Sequence, residues 1–285
     1  MVGCSVGGGE LREYPLGCSF GVMQGRLSPQ TERGYQAFPW DSWEAEFWLC
    51  AERGLEHIEW VLDSYNIEEN PLLSSPAKVA AIMGESGIRV PSVCADFLMD
   101  TPLGSGKESS ALFQRLLDVS EQLGIEIVVV PCVDNASVQD SKSLARLDTA
   151  LDAVEAELHG GTTRLALETD LGPTDFVALL GRHNQDLISA NYDSGNSASL
   201  GYHMSQELES YGHYVSDIHL KDRKLGAASV PLGTGDADLR QIICFAKQEN
   251  FDGIVTMQAF RDFHGLEILD EQLAAVRDLI RSSDG

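Results

Sequence analysis

The sequence predicts an α/β fold in which eight parallel strands, each followed by a helix, close into a (β/α)8 barrel. Strand-like and helix-like stretches alternate along about 250 residues, a length that suits a closed barrel better than an open sheet. The spacing of the predicted strand ends supports this reading, because the first five recur every 36 residues, at Gln24, Trp60, Asp96, Cys132 and Glu168. A regular unit length is what repeated βα modules predict. The last three predicted strand ends are Asp193, His219 and Gln258.

Each predicted strand is a short apolar run, and the fourth is so rich in β-branched residues that we expect both of its faces to be buried. The predicted strands are Ser19–Gln24, His57–Leu62, Ile88–Ala95, Ile125–Cys132, Arg164–Glu168, Leu187–Asp193, Val215–Lys221 and Gly253–Gln258.

The predicted helices show apolar residues at helical spacing, and a glycine follows each of the first three. The predicted helices are Ser42–Arg53, Pro71–Ser86, Glu108–Leu123, Asp140–Leu158, Thr174–Leu180, Ser205–Tyr211, Asp236–Glu249 and Gly265–Arg281. Residues 1–15 are rich in glycine and are predicted to be a flexible leader, and residues 16–285 to be one barrel domain.

The composition excludes several classes of protein. Twenty Lys and Arg oppose 44 Asp and Glu, which gives a formal charge of −24, and such an acidic surface disfavours binding to nucleic acid or to an anionic membrane. The longest apolar stretch, Ile125–Val133, contains Glu126 and Pro131 and is far too short to cross a bilayer. Six widely spaced cysteines without a C-x-x-C pair favour reduced thiols in a cytoplasmic protein.

Three predicted strand ends could together bind a metal ion. The active site of such a barrel lies at the carboxyl ends of its strands, where Glu168, Asp193 and His219 follow one another. Two carboxylates and one imidazole suit Mn2+, Mg2+, Co2+ or Zn2+, and Gln258 could add a neutral oxygen. The alternative is that the carboxylates are structural and the imidazole is a hydrogen-bonded core group.

Basic residues near the same strand ends allow two interpretations. Lys221, Arg223, Arg26 and Arg261 could bind an anionic group of a substrate, or could pair with neighbouring carboxylates such as Asp222. The loop Leu232–Asp236 precedes a helix and could bind an anion. It has neither a Lys nor a full G-x-G-x-x-G motif, so its two glycines favour a tight turn.

Motifs along nearly the whole chain resemble the xylose isomerase-like TIM-barrel superfamily, in its sugar (phosphate) isomerase and epimerase branch. The motifs are GVMQGRLSP from Gly21, QAFPWDSW from Gln36, HIEW from His57, SVCADFLMD from Ser92, ALETD from Ala166, NYDSGNSASLGY from Asn191, DIHLKDR from Asp217 and PLGTGDAD from Pro231.

The resemblance implies a metal-dependent enzyme of carbohydrate metabolism. Ketose 3-epimerases of that superfamily hold their metal with Glu, Asp, His and Glu, and Glu168, Asp193 and His219 match the first three. This chain has Gln258 at the fourth position, and an amide cannot exchange a proton as a carboxylate does. It also has Asn196 where the family has a further His, so a symmetric mechanism with two glutamates is in doubt.

We therefore expect proton abstraction next to a metal-bound carbonyl of a sugar, keto-polyol or sugar phosphate. Glu168 is the candidate base, while Lys221, Glu59 or a metal-bound water is the candidate acid; Glu59 serves equally well as a brace for a neighbouring group. The predicted substrate-binding residues are Gln24, Arg26, Trp60, Asp96, Asn196 and Arg223.

Three alternatives remain at this stage. A dehydratase or lyase acting on a keto-sugar or inosose-like substrate would share the first proton abstraction. A non-catalytic sugar-binding barrel would explain Gln258 and Asn196 as partial loss of a catalytic set. An apurinic endonuclease is disfavoured, because strands three and four end without His and the chain is acidic. The sequence leaves the oligomeric state open, although barrels of this kind often form homo-oligomers.

Overall fold

The computed structural model describes residues 14–158, 160–248 and 251–283. Eight parallel strands form a closed barrel in which β1 pairs with both β2 and β8, so the predicted (β/α)8 fold is confirmed. The strands are β1 Ser19–Met23, β2 His57–Val61, β3 Ser92–Cys94, β4 Ile127–Cys132, β5 Arg164–Thr169, β6 Ile188–Asp193, β7 Val215–Leu220 and β8 Ile254–Met257.

Helices cover the outside of the barrel. They are α1 Trp43–Glu52, α2 Pro71–Ser74, α3 Pro76–Ser86, α4 Lys107–Leu123, α5 Ser141–Leu158, α6 Pro173–Leu180, α7 Ser194–Leu200, α8 Met204–Tyr211, α9 Leu239–Ala246 and α10 Leu266–Ser282. Among the described residues no helix is both long and apolar enough to cross a membrane, and no disulfide joins the cysteines. Of the predicted leader 1–15, residues 1–13 lie outside the described part of the chain.

Two differences from the predicted elements have local causes. The helix predicted over Pro71–Ser86 is divided at Ser75, since Pro76 has no N–H and disfavours helical geometry in the residue before it. The helix predicted from Asp236 begins only at Leu239, because the Asp238 carboxylate accepts the N–H of Gln241 and caps it.

Helix α7 was not predicted, since its small polar residues have no apolar periodicity. It forms directly after β6 because the carboxylate of Asp193 accepts the N–H of Asn196 at 2.8 Å. A predicted metal ligand therefore also determines where this helix begins.

The buried side chains form two regions. The main core lies between the strands and the surrounding helices, and a smaller apolar cluster that includes Met23, Val61 and Val129 is separate from it. Polar side chains are buried on the strands as well, among them His57, whose ring nitrogens contact Ser19 Oγ at 2.8 Å and Thr256 Oγ1 at 3.2 Å. Burial lowers the pKa of His57 to about 3, so this imidazole is neutral.

Glu46 connects α1 to the loop that follows β1. Its two carboxylate oxygens accept the N–H of Gly25 at 2.8 Å and the hydroxyl of Ser28 at 2.6 Å. Burial raises the pKa of Glu46 to about 7, although these hydrogen bonds and the charges of Arg261 and Arg26 act to lower it. The loop that carries Arg26 is thus held by a carboxyl group that is close to its titration point at neutral pH.

Replacing Glu46 by Gln should flatten the pH dependence of stability. Between pH 4.5 and about 7 the folded wild type binds more protons at Glu46 than the unfolded chain does, so its free energy of unfolding falls as the pH rises through this window. The amide introduced by Glu46→Gln keeps an acceptor for the Gly25 N–H, and the Ser28 hydroxyl can turn to accept from it. We expect wild type to lose on the order of 2 kcal/mol relative to Glu46→Gln across the window.

Urea unfolding at pH 5, 6, 7 and 8 measures this difference. Glu44→Gln, an exposed change on the same helix, is the control and should follow the wild-type curve. Parallel stability curves for wild type and Glu46→Gln would contradict the assignment.

Candidate active site

Three side chains converge at the carboxyl ends of successive strands. Glu168 lies on β5, Asp193 ends β6 and His219 lies on β7, where it is in register with Asp193. One ligand atom of each lies within 4.8 Å of the others, and all three side chains are buried. The structure therefore brings together the three residues that the sequence predicted as metal ligands.

The imidazole of His219 lies between two carboxylates. Its Nε2 is 2.9 Å from Glu59 Oε1 and its Nδ1 is 3.4 Å from Glu168 Oε2. Burial alone would lower the pKa of His219, but Glu59, Glu168 and Asp217 outweigh it and raise that pKa well above 6.5. The ring is therefore oriented with Nε2 beside Glu59 and with Nδ1 facing Glu168, at the mouth of the barrel that the carboxyl ends of the strands form.

Glu59 is behind His219 and has no exposed surface. Its Oε2 accepts the hydroxyl of Ser92 at 2.8 Å. Burial and the charge of Glu59 raise the pKa of Asp217 well above 3.8, whereas the pKa of Glu59 is lowered because His219 and its hydrogen-bond partners outweigh burial. Glu59 is thus an ionised carboxylate that orients His219 from inside the barrel, and of its two predicted roles this geometry favours the brace.

Asn191 belongs to the site, and the sequence analysis missed it. Its Nδ2 lies 3.0 Å from Glu168 Oε2 and 2.9 Å from His219 Nδ1. A signal was available, because Asn191 is two residues before Asp193 on the same strand and so points to the same face.

Asn196 lies in contact with the metal-ligand candidates. Its Nδ2 donates to Glu168 Oε1 at 2.6 Å, while its Oδ1 accepts from Lys221 Nζ at 3.3 Å and from Arg223 Nη1 at 2.8 Å. Both of its polar atoms are therefore committed to the protein, which makes it a link between Glu168 and the basic residues that follow β7.

The basic residues of the mouth are paired within the protein. Lys221 Nζ is 3.2 Å from Asp193 Oδ2, and Arg223 Nε donates to the carbonyl of Ala227 at 2.8 Å. Arg261 donates to the carbonyls of Ala37 and Pro29. Of the two interpretations of the basic residues, pairing with a carboxylate is the one that the contact of Lys221 with Asp193 agrees with.

The loop Leu232–Asp236 surrounds a side chain of the protein itself. The carboxylate of Asp222, which is buried, accepts the N–H groups of Gly233, Gly235 and Ala237 at 2.8 to 3.1 Å. The amides that could have bound an external anion are thus satisfied by Asp222, and the tight-turn interpretation is the correct one.

Gln24 and Arg26 lie on the β1 side of the mouth. Gln24 Oε1 accepts the N–H of Val61 at 3.1 Å, and Arg26 donates to the carbonyl of Ala259 and to Gln36 while lying 4.7 Å from the ring centre of Tyr35. Both residues are buried, and Gln24 Nε2 and Arg26 Nη1 have no hydrogen-bond partner among the described residues. A bound ligand or an ordered water in contact with these two donors would satisfy them.

The prediction that Trp60 contacts substrate is wrong. Alternation along β2 turns Glu59 into the barrel and Trp60 out of it, so the indole is fully buried in the main core. There it packs against Phe38 and Trp43, and its Nε1 donates to Asn70 at 3.1 Å.

Asp96 follows β3 at the mouth and is partly exposed. Burial, followed by the charges of Asp63 and Glu168, raises the pKa of Asp96 to about 7, although Arg26 acts to lower it. A substantial fraction of this carboxyl group therefore carries a proton near neutral pH and can donate it.

Gln258 follows β8, and the surroundings of its side-chain oxygen indicate whether the site suits a metal ion. Its Oε1 is buried and has no hydrogen-bond partner among the described residues, as expected for an oxygen that is used only when a ligand is present. Glu168, Asp193 and His219 bring two carboxylates and an imidazole within reach of one cation, and Gln258 offers a neutral oxygen directly after the neighbouring strand β8, so the residue types suit a divalent cation. Glu168, Asp193, His219 and Gln258 are thus suited in chemistry to a divalent metal ion.

Comparison with known proteins agrees with this architecture. A family model described as xylose isomerase-like TIM barrel matches residues 47–279. The chain is 23% identical over 261 residues to 2-epi-5-epi-valiolone 7-phosphate 2-epimerase of an Actinoplanes species, an alignment that covers 88% of this chain and 91% of that protein. It is 24% identical over 235 residues to L-ribulose-5-phosphate 3-epimerase of Salmonella heidelberg, covering 75% of this chain and 80% of the enzyme.

A solved structure shares the fold. The xylose isomerase-like TIM barrel protein from Mycobacterium smegmatis, determined in complex with magnesium, superposes with a TM-score of 0.63 at 19% identity. The superposition covers 92% of this chain and 96% of that one.

Proposed function

Because this chain belongs to the xylose isomerase-like TIM barrel family, we propose that it is an isomerase or epimerase of a sugar, keto-polyol or sugar phosphate that depends on one divalent metal ion. The convergence of Glu168, Asp193 and His219 carries the proposal. The two curated relatives described above are epimerases of phosphorylated substrates, which supports this class of reaction and of substrate.

Glu168, Asp193, His219 Nδ1 and Gln258 Oε1 would hold the ion. When bound, a divalent cation polarises a substrate carbonyl and offsets the negative charge of the enediolate. Glu59 keeps Nδ1 of His219 turned toward the mouth, and Asn191 contacts Glu168 and His219 together. These contacts fix the donor atoms before any ligand binds, which limits the cost of ordering them.

Glu168 is the residue best suited to remove the proton next to the substrate carbonyl. It is 6% exposed and so reaches the mouth, and amide groups of Asn191 and Asn196 donate to its two oxygens. Neutral amide donors stabilise the carboxylate form without supplying a competing proton. Both carboxylate oxygens of Glu168 are thus oriented by amide donors, which leaves no acidic neighbour among these partners to compete for the substrate proton.

Asp96 is the best candidate to return the proton. Lys221 is engaged by Asp193 and Asn196, and Glu59 is sealed behind His219, so neither of these faces the mouth freely. Asp96 follows β3 at the mouth and is partly exposed. An acid from β3 and a base from β5 would give the two-sided proton transfer that Gln258 cannot provide.

Removing a ligand should abolish metal binding. We expect about one Mn2+ per wild-type chain after loading and desalting, and loss of that metal in His219→Ala and Glu168→Ala, because each variant removes one of the three close donors. Metal analysis of the protein measures the content, and circular dichroism checks the fold. Glu126→Gln, an exposed carboxylate change, is the matched control.

The reaction is tested by solvent deuterium uptake into L-ribulose 5-phosphate and into a panel of ketoses, monitored by NMR. Uptake that needs Mn2+ and Glu168 supports the proposal. A product lacking one water would assign a dehydratase or lyase instead, whereas metal binding without exchange into any member of the panel would favour a sugar-binding barrel. Equal metal content in wild type and both variants would contradict the metal site.

Replacing Gln258 by Glu should tighten metal binding. The change adds a third carboxylate to the donor set, so we expect the Kd for Mn2+ to fall by about tenfold or more. Titration followed by the electron paramagnetic resonance of free Mn2+ measures the Kd. Gln248→Glu, an exposed change that precedes β8 whereas Gln258 follows it, is the control. An unchanged Kd for Gln258→Glu would remove Gln258 from the ligand set.

Replacing Asp96 by Asn should separate the two proton transfers. Glu168 still removes the proton, so we expect deuterium exchange into the substrate to persist while net conversion falls by about 10²-fold or more. Parallel measurement of exchange and product by NMR gives the ratio, and Asp118→Asn, an exposed change on α4, is the control. Equal loss of exchange and conversion would assign Asp96 to substrate binding alone.

A further inference from the structure

We propose that the chain carries a second divalent-metal site, suited to Zn2+, on the outside of the barrel where the turn after α6 meets α5. The donors are Nδ1 of His183 and carboxylate oxygens of Asp152 and Glu155, which all lie within 4.8 Å of one another. Asp148 is the fourth member of the cluster and contacts the other ring nitrogen of His183, Nε2.

The imidazole of His183 is aimed into the carboxylates. The side chain is 1% exposed, and its Nε2 contacts Asp148 Oδ1 at 3.0 Å. Its Nδ1 is buried and has no hydrogen-bond partner among the described residues. That nitrogen lies 3.5 Å from Glu155 Oε1 and 3.8 Å from Asp152 Oδ1. A buried nitrogen without a partner, facing two carboxylates, is an unsatisfied group that a cation would satisfy.

The spacing of the acidic residues puts them on one face of α5. Asp148, Asp152 and Glu155 stand four and three residues apart, which is the interval at which helical side chains become neighbours. The turn after α6 brings His183 against this face, where the N–H of Asn184 also donates to Glu155 Oε1 at 2.6 Å. Two segments distant in sequence thus contribute to one cluster.

The distances are close to those of a zinc site. Bonds of about 2.0 Å in tetrahedral geometry separate the ligand atoms by about 3.3 Å. The observed 3.5 and 3.8 Å from His183 Nδ1 to the two carboxylates exceed this by a few tenths of an ångström, and the two carboxylate oxygens lie within 4.8 Å of each other. Asp152 can move to reduce these distances, since its side chain is 73% exposed.

The arrangement of His183 is the one that metal-binding imidazoles adopt. A carboxylate that accepts Nε2–H fixes the tautomer and leaves the lone pair of Nδ1 for a cation, and Asp148 is in that position. Charge favours a cation as well, because the cluster contains three carboxylates and, among the described residues, Arg182 is the one Lys or Arg that pairs with any of them, at 3.1 Å from Asp148 Oδ2.

This site is separate from the mouth of the barrel. His183 precedes the start of β6, whereas Asp193 ends that strand at the opposite end of the barrel. A cation here would join α5 to the turn after α6 without contacting substrate. Its expected effect is on stability rather than on catalysis, as is usual for the amino-terminal end of such barrels.

The test is equilibrium dialysis of the full chain against Zn2+, with metal content measured for wild type, Asp152→Asn and Glu155→Gln. Both variants should bind one Zn2+ fewer per chain, or bind it at least about tenfold more weakly. Without metal, the melting temperature of Asp152→Asn should equal that of wild type, because this side chain is exposed. Glu126→Gln is the control and should keep the wild-type content.

Comparison with His219→Ala separates this site from the mouth site. If both exist, wild type holds two Zn2+ and His219→Ala keeps one, whose binding raises the melting temperature. If the mouth site fails, wild type holds one Zn2+, which is lost in Asp152→Asn and kept in His219→Ala. Wild-type Zn2+ content in both Asp152→Asn and Glu155→Gln would overturn the proposal and leave His183 as a hydrogen-bonded ion pair.

Discussion

The contact between Glu59 and His219 inside the barrel is the interaction on which the candidate active site depends. The two groups are 2.9 Å apart and are both fully buried, so neither can exchange its partner for water. With Nε2 held by Glu59, the other ring nitrogen faces Glu168. An imidazole without this brace could rotate, and the three donors would no longer be fixed in one place.

Burying this many polar groups is costly, and the structure compensates by linking them. Ser92 donates to Glu59, while Asn191 and Asn196 donate to Glu168. Each link replaces water that the closed barrel has removed. Burial itself, followed by the nearby charge of Glu59, raises the pKa of Asp217 well above its ordinary value.

The two departures from the epimerase pattern take on physical meaning in the structure. Asn196 stands where the sequence resemblance implies a histidine, and its amide joins Glu168 to Lys221 and Arg223. Gln258 retains an oxygen but has no proton to exchange, so a second acid must come from elsewhere. Asp96 lies at the mouth, and its pKa of about 7 suits a group that donates a proton near neutral pH. The proposed chemistry is therefore asymmetric, with different residue types on the two sides of the substrate.

The sequence by itself determined the barrel and the residues at its strand ends, because alternation of elements and the length of each unit are local properties that one chain reveals. It also predicted that Glu168, Asp193 and His219 lie together, since each is a polar residue at the end of an apolar strand. It could not decide which face of β2 turns inward, and so it assigned Trp60 to the pocket. Strand alternation gives the two faces, but only closure of the sheet decides which one is enclosed.

The tertiary structure alone decided the contacts between distant segments. Asp222 satisfies its own loop, and His183 meets α5 from a separate part of the chain, contacts that no local pattern announces. Helix α7 escaped prediction for a related reason, since its start depends on the carboxylate of Asp193 rather than on apolar periodicity. Local sequence pattern therefore determines the strands and helices. The geometry of the site depends on hydrogen bonds and charge interactions between distant segments, because those segments meet only when the barrel closes.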